Sequence, residues 1–142
     1  MSAFTPGEIA YLTSQPLGRL ATTGADGRPS VRPVGVIYDP GSGGLIVGGV
    51  TGSGMARSKK FRDARRHPDV AFVVDDLASV EPWTPRGIEI RGVARTFDEG
   101  GVEVGERLAA PFPFEEAWML ILPRRILAWG IEGDFAAREV AA

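Results

Sequence analysis

A dense group of basic side chains lies in the middle of the sequence. Within the ten positions 57–66 there are six cations, and Asp63 alone opposes them. The cations are Arg57, Lys59, Lys60, Arg62, Arg65 and Arg66. The whole chain, by contrast, has a net charge of −2 and a pI of about 5.4. So strong a local excess of positive charge faces water, a macromolecular partner or a bound anion.

The start of this basic run has the features of a phosphate-binding site. Ser58 is a good N-cap for a helix that ends before Pro68, and a glycine-rich segment precedes it. Free backbone N–H groups at a helix start, a hydroxyl and nearby cations together favour a bound phosphate. We therefore predict that Ser58, Lys59 and Lys60 hold a phosphorylated ligand, with Arg62 close by. A solvent-exposed helix face and a nucleic-acid-binding surface are the alternatives.

The composition restricts what other chemistry the chain can perform. It has no cysteine, which excludes disulfides, thiolate catalysis and cysteine-ligated zinc. His67 is the single histidine, so a histidine-rich metal site is impossible, and no serine lies in a complete Gly-x-Ser-x-Gly motif. We therefore predict no metal site and assign no catalytic side chain. If the chain is an enzyme, a bound cofactor carries the reaction.

The length and composition are typical of one folded domain. The chain has 142 residues, of which 44% are hydrophobic and 24% charged, which is sufficient for one core. No apolar run is long enough for a membrane-spanning helix, and the N-terminal segment MSAFTPGEIA lacks the features of a secretory signal. We expect a single domain over residues 1–142, located in the cytoplasm and without membrane contact.

Hydrophobic periodicity predicts a mainly β protein. A capping box at Thr5 and Glu8 predicts a helix over 5–15, and a second short helix is predicted over 102–109. Period-two patterns predict antiparallel strands over residues 17–23, 31–38, 45–50, 69–76, 88–97 and 118–131. Gly92 predicts a bulge or bend, and Pro123 interrupts the last strand or strand pair. About six short strands with helices at the edges predict a small β-barrel.

Two segments resemble those of a known superfamily. RSKKFRDARRHPDVAFVVDD after a glycine loop, and RGIEIRGVARTF after a proline-rich loop, are similar to segments of the pyridoxamine-phosphate-oxidase-like split β-barrels. The resemblance extends over residues 17–97. It implies a six-stranded antiparallel split β-barrel with peripheral helices, which binds FMN or the deazaflavin coenzyme F420 between the two subunits of a homodimer. The ending ILPRRILAWGI is similar to the F420-dependent reductase branch.

The resemblance also implies a set of cofactor-binding residues. The superfamily's Ser-Arg/Lys-Lys phosphate triplet falls on Ser58, Lys59 and Lys60, and Trp129 is expected to close the site from the partner chain. The remaining contacts fall on Arg32, Pro33, Val34, Gly48 and Gly49. A ring contact that is often glutamine in the oxidases falls near Gly87 here. The C-terminal Arg-x-His motif of true pyridoxamine phosphate oxidases is absent, so we do not expect that oxidase activity.

One functional hypothesis and two alternatives follow from the resemblance. It implies a reductase that uses reduced coenzyme F420 to deliver hydride to a small organic substrate such as an enone or an imine. The alternatives are an FMN-binding flavoprotein oxidoreductase of the same fold and a non-catalytic protein that binds a cofactor or ligand. A nucleic-acid partner is not expected, because the chain is acidic and aromatic residues do not alternate with its clustered cations.

Overall fold

Eight antiparallel strands form one sheet in the computed structural model, which describes residues 2–141. The strands are β1 (Leu17–Thr23), β2 (Pro29–Gly35), β3 (Ile37–Asp39), β4 (Gly44–Val50), β5 (Asp69–Ser79), β6 (Thr84–Phe97), β7 (Phe114–Trp129) and β8 (Phe135–Glu139). The helices are α1 (Pro6–Ser14), α2 (Lys59–Arg66) and α3 (Gly101–Arg107), and a 3₁₀ turn (Met55–Arg57) precedes α2. The predicted mainly β class is confirmed.

The sheet curls into a barrel that stays open between β2 and β4. The strand order is β2-β1-β5-β6-β7-β4-β3, with β8 paired to the end of β7. Although β2 and β4 lie far apart in this order, they approach each other in space. β3 pairs with β4 so that Ile37 lies opposite Ile46, and the same register would place Gly35 opposite Gly48. Within residues 2–141, however, β2 pairs with β1 alone. The predicted split barrel is therefore confirmed.

The structure has eight strands where the sequence patterns predict six. The predicted strand over 31–38 is divided at Val36 into β2 and β3. The N–H of Val36 donates to the carbonyl of Pro16 at 3.3 Å, whereas the next residue, Ile37, pairs with β4. The chain thus changes partners at Val36, from one border of the split to the other. The C-terminal strand β8 is the second addition, and its side chains are mostly exposed, so it lacks an alternating pattern.

Gly92 marks a bend in the two longest strands. The register between β6 and β7 shifts between Arg91 and Gly92, and a Cβ atom on Gly92 would lie 2.2 Å from the carbonyl oxygen of Leu122. Pro123, which has no N–H to donate, lies opposite Gly92 at this irregularity. The predicted bulge at Gly92 is confirmed, and β7 continues through Pro123 as one strand.

The barrel interior holds the main core, and helix α1 contributes Tyr11 and Leu12 to it. The largest side chains that are almost fully buried include Phe61, Phe72, Leu20, Met119 and Ile126. Helix α2 contributes Phe61, while α3 packs outside the barrel against a second cluster around Phe114. No helix within residues 2–141 has the length and apolar character that crossing a membrane requires.

Candidate functional site

Helix α2 begins with an internal cap and without an acidic side chain. The hydroxyl of Ser58 accepts a hydrogen bond from the N–H of Phe61 at 3.4 Å and donates to the carbonyl of Met55 at 2.7 Å. Phe61 and Ala64 are buried in the core and fix the helix on the barrel. No aspartate or glutamate lies in the first turn. The positive end of this helix therefore has no carboxylate of its own first turn to compensate it.

Two cations that are far apart in the sequence, Lys60 on α2 and Arg32 on β2, lie within electrostatic range of each other. Lys60 lies in the first turn of α2 and is half-buried. Arg32 lies on β2, on the same face as Val34, whose side chain is buried in the core. Burial and, in addition, repulsion from Arg32 lower the pKa of Lys60. Neither cation forms a salt bridge with any residue of 2–141. Their paired positive charge suits an anion.

Lys59 and Arg62 lie on the other side of α2. Lys59 forms an ion pair with Asp63 one turn later, and its ammonium lies near the β1–β2 turn. There, a Cβ atom on Gly24 would be 3.2 Å from the Lys59 Nζ atom. The groove on this side has a volume of about 350 Å³ and is lined by Ala25, Asp26, Lys59, Arg62, Asp63 and Arg66. Lys59 and Arg62 therefore lie in a different groove from Lys60 and Arg32. The phosphate contacts predicted for Ser58, Lys59, Lys60 and Arg62 stay predictions.

The edge of β2 presents backbone groups to the split. At the two ends of the β1–β2 ladder, Gly24 N–H bonds to Arg28 and Val36 N–H bonds to Pro16, so the even-numbered residues of β2 bond to β1. The odd-numbered residues of β2 consequently point their backbone groups away from β1, and Pro33 has no N–H to offer. Of the predicted contacts on β2, Pro33 is exposed and Val34 is buried.

The predicted glycine contacts on β4 have an explanation inside the chain. A Cβ atom on Gly48 would lie 2.4 Å from the ring of Phe114, and one on Gly49 would lie 2.5 Å from the Cβ of Met55. These neighbours fill the space where side chains would be. Packing of Phe114 and Met55 therefore requires both glycines, and their contact with a cofactor stays a prediction.

Trp129 lies in another part of the sheet. It is four strands from β2 in the sheet order and lies opposite Gly87 in β6. A Cβ atom on Gly87 would be 2.6 Å from the indole. Ala128 beside it is buried, so the indole is on the outer face of the barrel. Within one chain Trp129 is not part of the Arg32–Lys60 site, and its predicted role across a subunit interface stays a prediction.

A carboxylate from the start of β7 holds the loop that leads to α2. Glu115 accepts hydrogen bonds from the backbone N–H groups of Gly52 at 2.8 Å, Gly54 at 3.2 Å and Met55 at 2.7 Å. The bonds from Met55 and Gly54 are the main cause of its lowered pKa. The sequence carries no signal for this contact, because Met55 and Glu115 are 60 residues apart. Within residues 2–141, no group of three acidic or histidine side chains is arranged to bind a metal ion.

Comparison with known proteins agrees with this architecture. Residues 6–128 match the family described as pyridoxamine 5'-phosphate oxidase. The chain belongs to this family. A relative from Streptomyces rimosus subsp. rimosus, a 5a,11a-dehydrotetracycline/5a,11a-dehydrooxytetracycline reductase, is 41% identical over 143 residues, which cover 98% of this chain and 94% of the relative. This similarity supports an oxidoreductase.

Two solved structures show the same fold at lower identity. A FAD binding protein from Mycobacterium smegmatis is 22% identical with a TM-score of 0.62, over 99% of this chain and all of the other. A protein described as an F420 reductase is 22% identical with a TM-score of 0.59, over 82% of this chain and 93% of the other. Together with the family match, these structures confirm the resemblance seen in the sequence.

Proposed function

We propose that this protein is a reductase that uses reduced coenzyme F420 to reduce a small organic substrate such as an enone or an imine. The observation that carries the proposal is that Lys60 and Arg32, on the helix and strand beside the split, lie within electrostatic range of each other and form no salt bridge in the described chain. The reductase relative supports the reaction type, and the F420 reductase of the same fold supports the cofactor.

The residues at the split fit a cofactor that carries a phosphate and a flat ring system. Lys60 and Arg32 supply charge-assisted hydrogen bonds, which burial of Lys60 makes stronger than they would be in water. The backbone edge of β2 offers hydrogen bonds to the rim of a planar ring. When bound, reduced coenzyme F420 supplies a hydride as a two-electron donor. The chain's own task is to hold the ring and substrate in contact and exclude water.

We also propose that the active form is a homodimer, with each site completed by the second chain. The outer face of β1, β2 and β5 carries an uncovered apolar groove around Val31, whose side chain is 61% exposed. Two ion pairs lie next to this groove, Arg19 with Asp75 and Arg91 with Glu89, so both positive and negative side chains surround it. A surface with both signs of charge can contact its own copy about a twofold axis. Trp129 also lies on the outer face.

Cofactor titration tests the catalytic proposal. The purified chain, stripped of any bound cofactor, is titrated with coenzyme F420 and separately with FMN, and Lys60→Ala is titrated in parallel. We expect F420 to bind more tightly than FMN and the variant to bind F420 at least about tenfold more weakly, since charge-assisted hydrogen bonds contribute about 1.5–3 kcal/mol. Turnover is then measured with reduced F420 and a panel of enones and imines.

The outcomes separate the three candidate functions. Absence of F420 binding at tens of micromolar, with tight FMN binding, would replace the proposal by an FMN-dependent oxidoreductase. Tight F420 binding without turnover of any panel member would favour the non-catalytic binding protein.

The dimer proposal is tested by comparing Val31→Asp with Val80→Asp, which changes a similarly exposed valine in the turn after β5. Light scattering is expected to show a dimer for the second variant and a monomer for the first, and a monomeric wild type contradicts the proposal.

A further inference from the structure

The loop between β4 and the 3₁₀ turn is arranged as an anion-binding loop, and the chain itself supplies the anion. Its N–H groups from Gly52 and Gly54, together with that of Met55 at the start of the 3₁₀ turn, point at the carboxylate of Glu115. Gly52 and Gly54 have φ angles of +87° and +79°, which other residues rarely adopt. Successive N–H groups in such a turn form a concave site for negative charge. Glu115 therefore holds this loop in its conformation.

The held loop is directly connected to the start of α2. Met55 gives its N–H to Glu115, and its carbonyl accepts the hydroxyl of Ser58, at 2.7 Å in both cases. The Met55 side chain is buried in the core and lies against Gly49. Ser58 caps the helix whose first turn carries Lys60. A short series of contacts thus joins Glu115 to the cation that meets Arg32.

We infer that Glu115 is a positioning residue of the anion site: by fixing the glycine loop and the Ser58 cap, it sets how tightly Lys60 and Arg32 bind a phosphate-bearing ligand. This inference rests on the proposed function, because it takes the ligand beside α2 to carry a phosphate. The Glu115 carboxylate already accepts three backbone N–H groups of the chain and is not one of the cationic donors to the ligand. Its effect is on the geometry of the donors that do.

Hydrogen bonds from backbone N–H groups keep Glu115 ionised at neutral pH. Its pKa is lowered by the hydrogen bonds from Met55 and Gly54 and, more weakly, by the nearby Arg57 of the 3₁₀ turn. Its neighbour Glu116 faces a different element, accepting a hydrogen bond from the N–H of Val102 in α3 at 3.2 Å. Glu116 therefore offers a matched control with the same chemistry and one backbone partner in place of three.

The test compares Glu115→Gln, Glu115→Asp and Glu116→Gln with the wild type. Glutamine places an NH₂ donor against N–H donors, whereas aspartate keeps the charge with a shorter reach. Affinities for inorganic pyrophosphate, coenzyme F420 and FMN are measured by calorimetry, and the melting temperature of each variant is recorded. We expect at least about a tenfold loss of affinity for Glu115→Gln, an intermediate loss for Glu115→Asp and less than about a twofold change for Glu116→Gln.

A pH series separates positioning from a general structural role. As the pH falls through the lowered pKa of Glu115, the wild type is expected to lose affinity until it approaches Glu115→Gln, since a protonated carboxyl resembles the amide. Amide exchange at Gly52, Gly54 and Met55 is expected to rise in Glu115→Gln alone. Lys60→Ala serves as the reference for complete loss of the anion site.

Each outcome decides the inference. Equal pyrophosphate affinity in the wild type and Glu115→Gln overturns it, and so does an equal loss in Glu116→Gln. If Glu115→Gln does not fold, the intermediate affinity of Glu115→Asp is the deciding value. A wild type that binds pyrophosphate but neither coenzyme contradicts the proposed function alone, and the pyrophosphate values then decide the role of Glu115. A wild type that binds no pyrophosphate contradicts the inference itself.

Discussion

Helices α1 and α2 both begin at a residue with a hydroxyl side chain, but their first turns differ in charge. Helix α1 is capped by Thr5, whose hydroxyl accepts the N–H of Glu8 at 3.1 Å while the Glu8 carboxylate accepts the N–H of Thr5 at 2.9 Å. Helix α2 is capped by Ser58 through a single bond of this kind. Glu8 places a negative charge in the first turn of α1, whereas the first turn of α2 contains Lys59 and Lys60.

The difference indicates which helix start is structural and which is available to a ligand. Glu8 is 2% exposed, yet Arg138 of β8 reaches it with Nη1 at 3.0 Å from Oε2, so the buried charge is compensated inside the chain. At α2 the helix dipole, Lys60 and Arg32 all favour an anion, and the described part of the chain places none in contact with these cations. Removing Arg138 would leave the buried charge of Glu8 unpaired, whereas the unpaired cations at α2 can be compensated by a bound anion.

The largest expected effect is on ligand binding at α2. Lys60→Glu replaces a donor to the phosphate by a repulsive carboxylate, so we expect coenzyme F420 to bind at least about a hundredfold more weakly. Calorimetry measures this change. Arg66→Glu makes the same change of charge on the exposed end of the same helix, and it is expected to weaken binding less than about threefold. Equal losses in both variants would show that net charge, and not the site, attracts the ligand.

At α1 the corresponding change affects stability and leaves binding intact. Arg138→Ala leaves the buried carboxylate of Glu8 without its partner, and we expect a loss of about 2–3 kcal/mol in the free energy of unfolding. Urea denaturation measures it. Arg124→Ala is the control: its pair with Asp69 is largely exposed, with side chains 64% and 78% accessible, and a change below about 0.5 kcal/mol is expected.

The pH dependence of stability gives the sign of the Glu8 contribution. The pKa of Glu8 is lowered despite its burial, because Arg138 and Thr5 donate hydrogen bonds to the carboxylate. Its contribution is therefore present above the usual carboxyl pKa and is lost as the pH falls through the lowered value. Arg138→Ala is expected to remove this acid sensitivity, and an unchanged pH profile would contradict the assignment.

The sequence predicts those features that depend on neighbouring residues. The capping box at Thr5 and the cap at Ser58 span four residues, and the structure contains both. The bend at Gly92 is likewise predictable, since a mid-strand glycine indicates close approach of another backbone. The division of β2 from β3 at Val36 is not predictable in this way, because hydrophobic alternation continues through it. β2 and β3 are distinguished only by the strands with which they pair, β1 for β2 and β4 for β3.

The same limit applies to the candidate site. Lys59 and Asp63 are one turn apart on α2, so their ion pair depends on local helix geometry alone. The meeting of Lys60 with Arg32 and the contact of Glu115 with Met55 depend on how distant strands pack around the split. The types of residue near a phosphate site can therefore be predicted from the sequence. Which of the adjacent lysines, Lys59 or Lys60, faces the site depends on how α2 is rotated about its own axis when it packs on the barrel.

Proton uptake on binding gives a smaller effect that is specific to Lys60. Its pKa is lowered by burial and by Arg32, and an anion beside it favours the charged form again. We therefore expect ligand binding to take up a fraction of a proton at alkaline pH, between the lowered pKa and the usual lysine value of about 10.4. Calorimetry in buffers of different ionisation enthalpy measures the uptake. Lys60→Arg retains the charge at every such pH and is expected to abolish it.

The smallest expected effect on ligand affinity comes from Lys59, the residue before Lys60. Lys59→Ala removes the ion pair with Asp63, whose side chain is only 8% exposed, so the main cost of this substitution is expected in stability. Because its ammonium lies toward the β1–β2 turn, we expect F420 affinity to change less than about threefold. The resemblance to the superfamily's phosphate triplet implies the opposite result, a loss similar to that of Lys60→Ala. A loss of tenfold or more would mean that Lys59 exchanges Asp63 for the ligand's phosphate on binding, and that the two lysines act together.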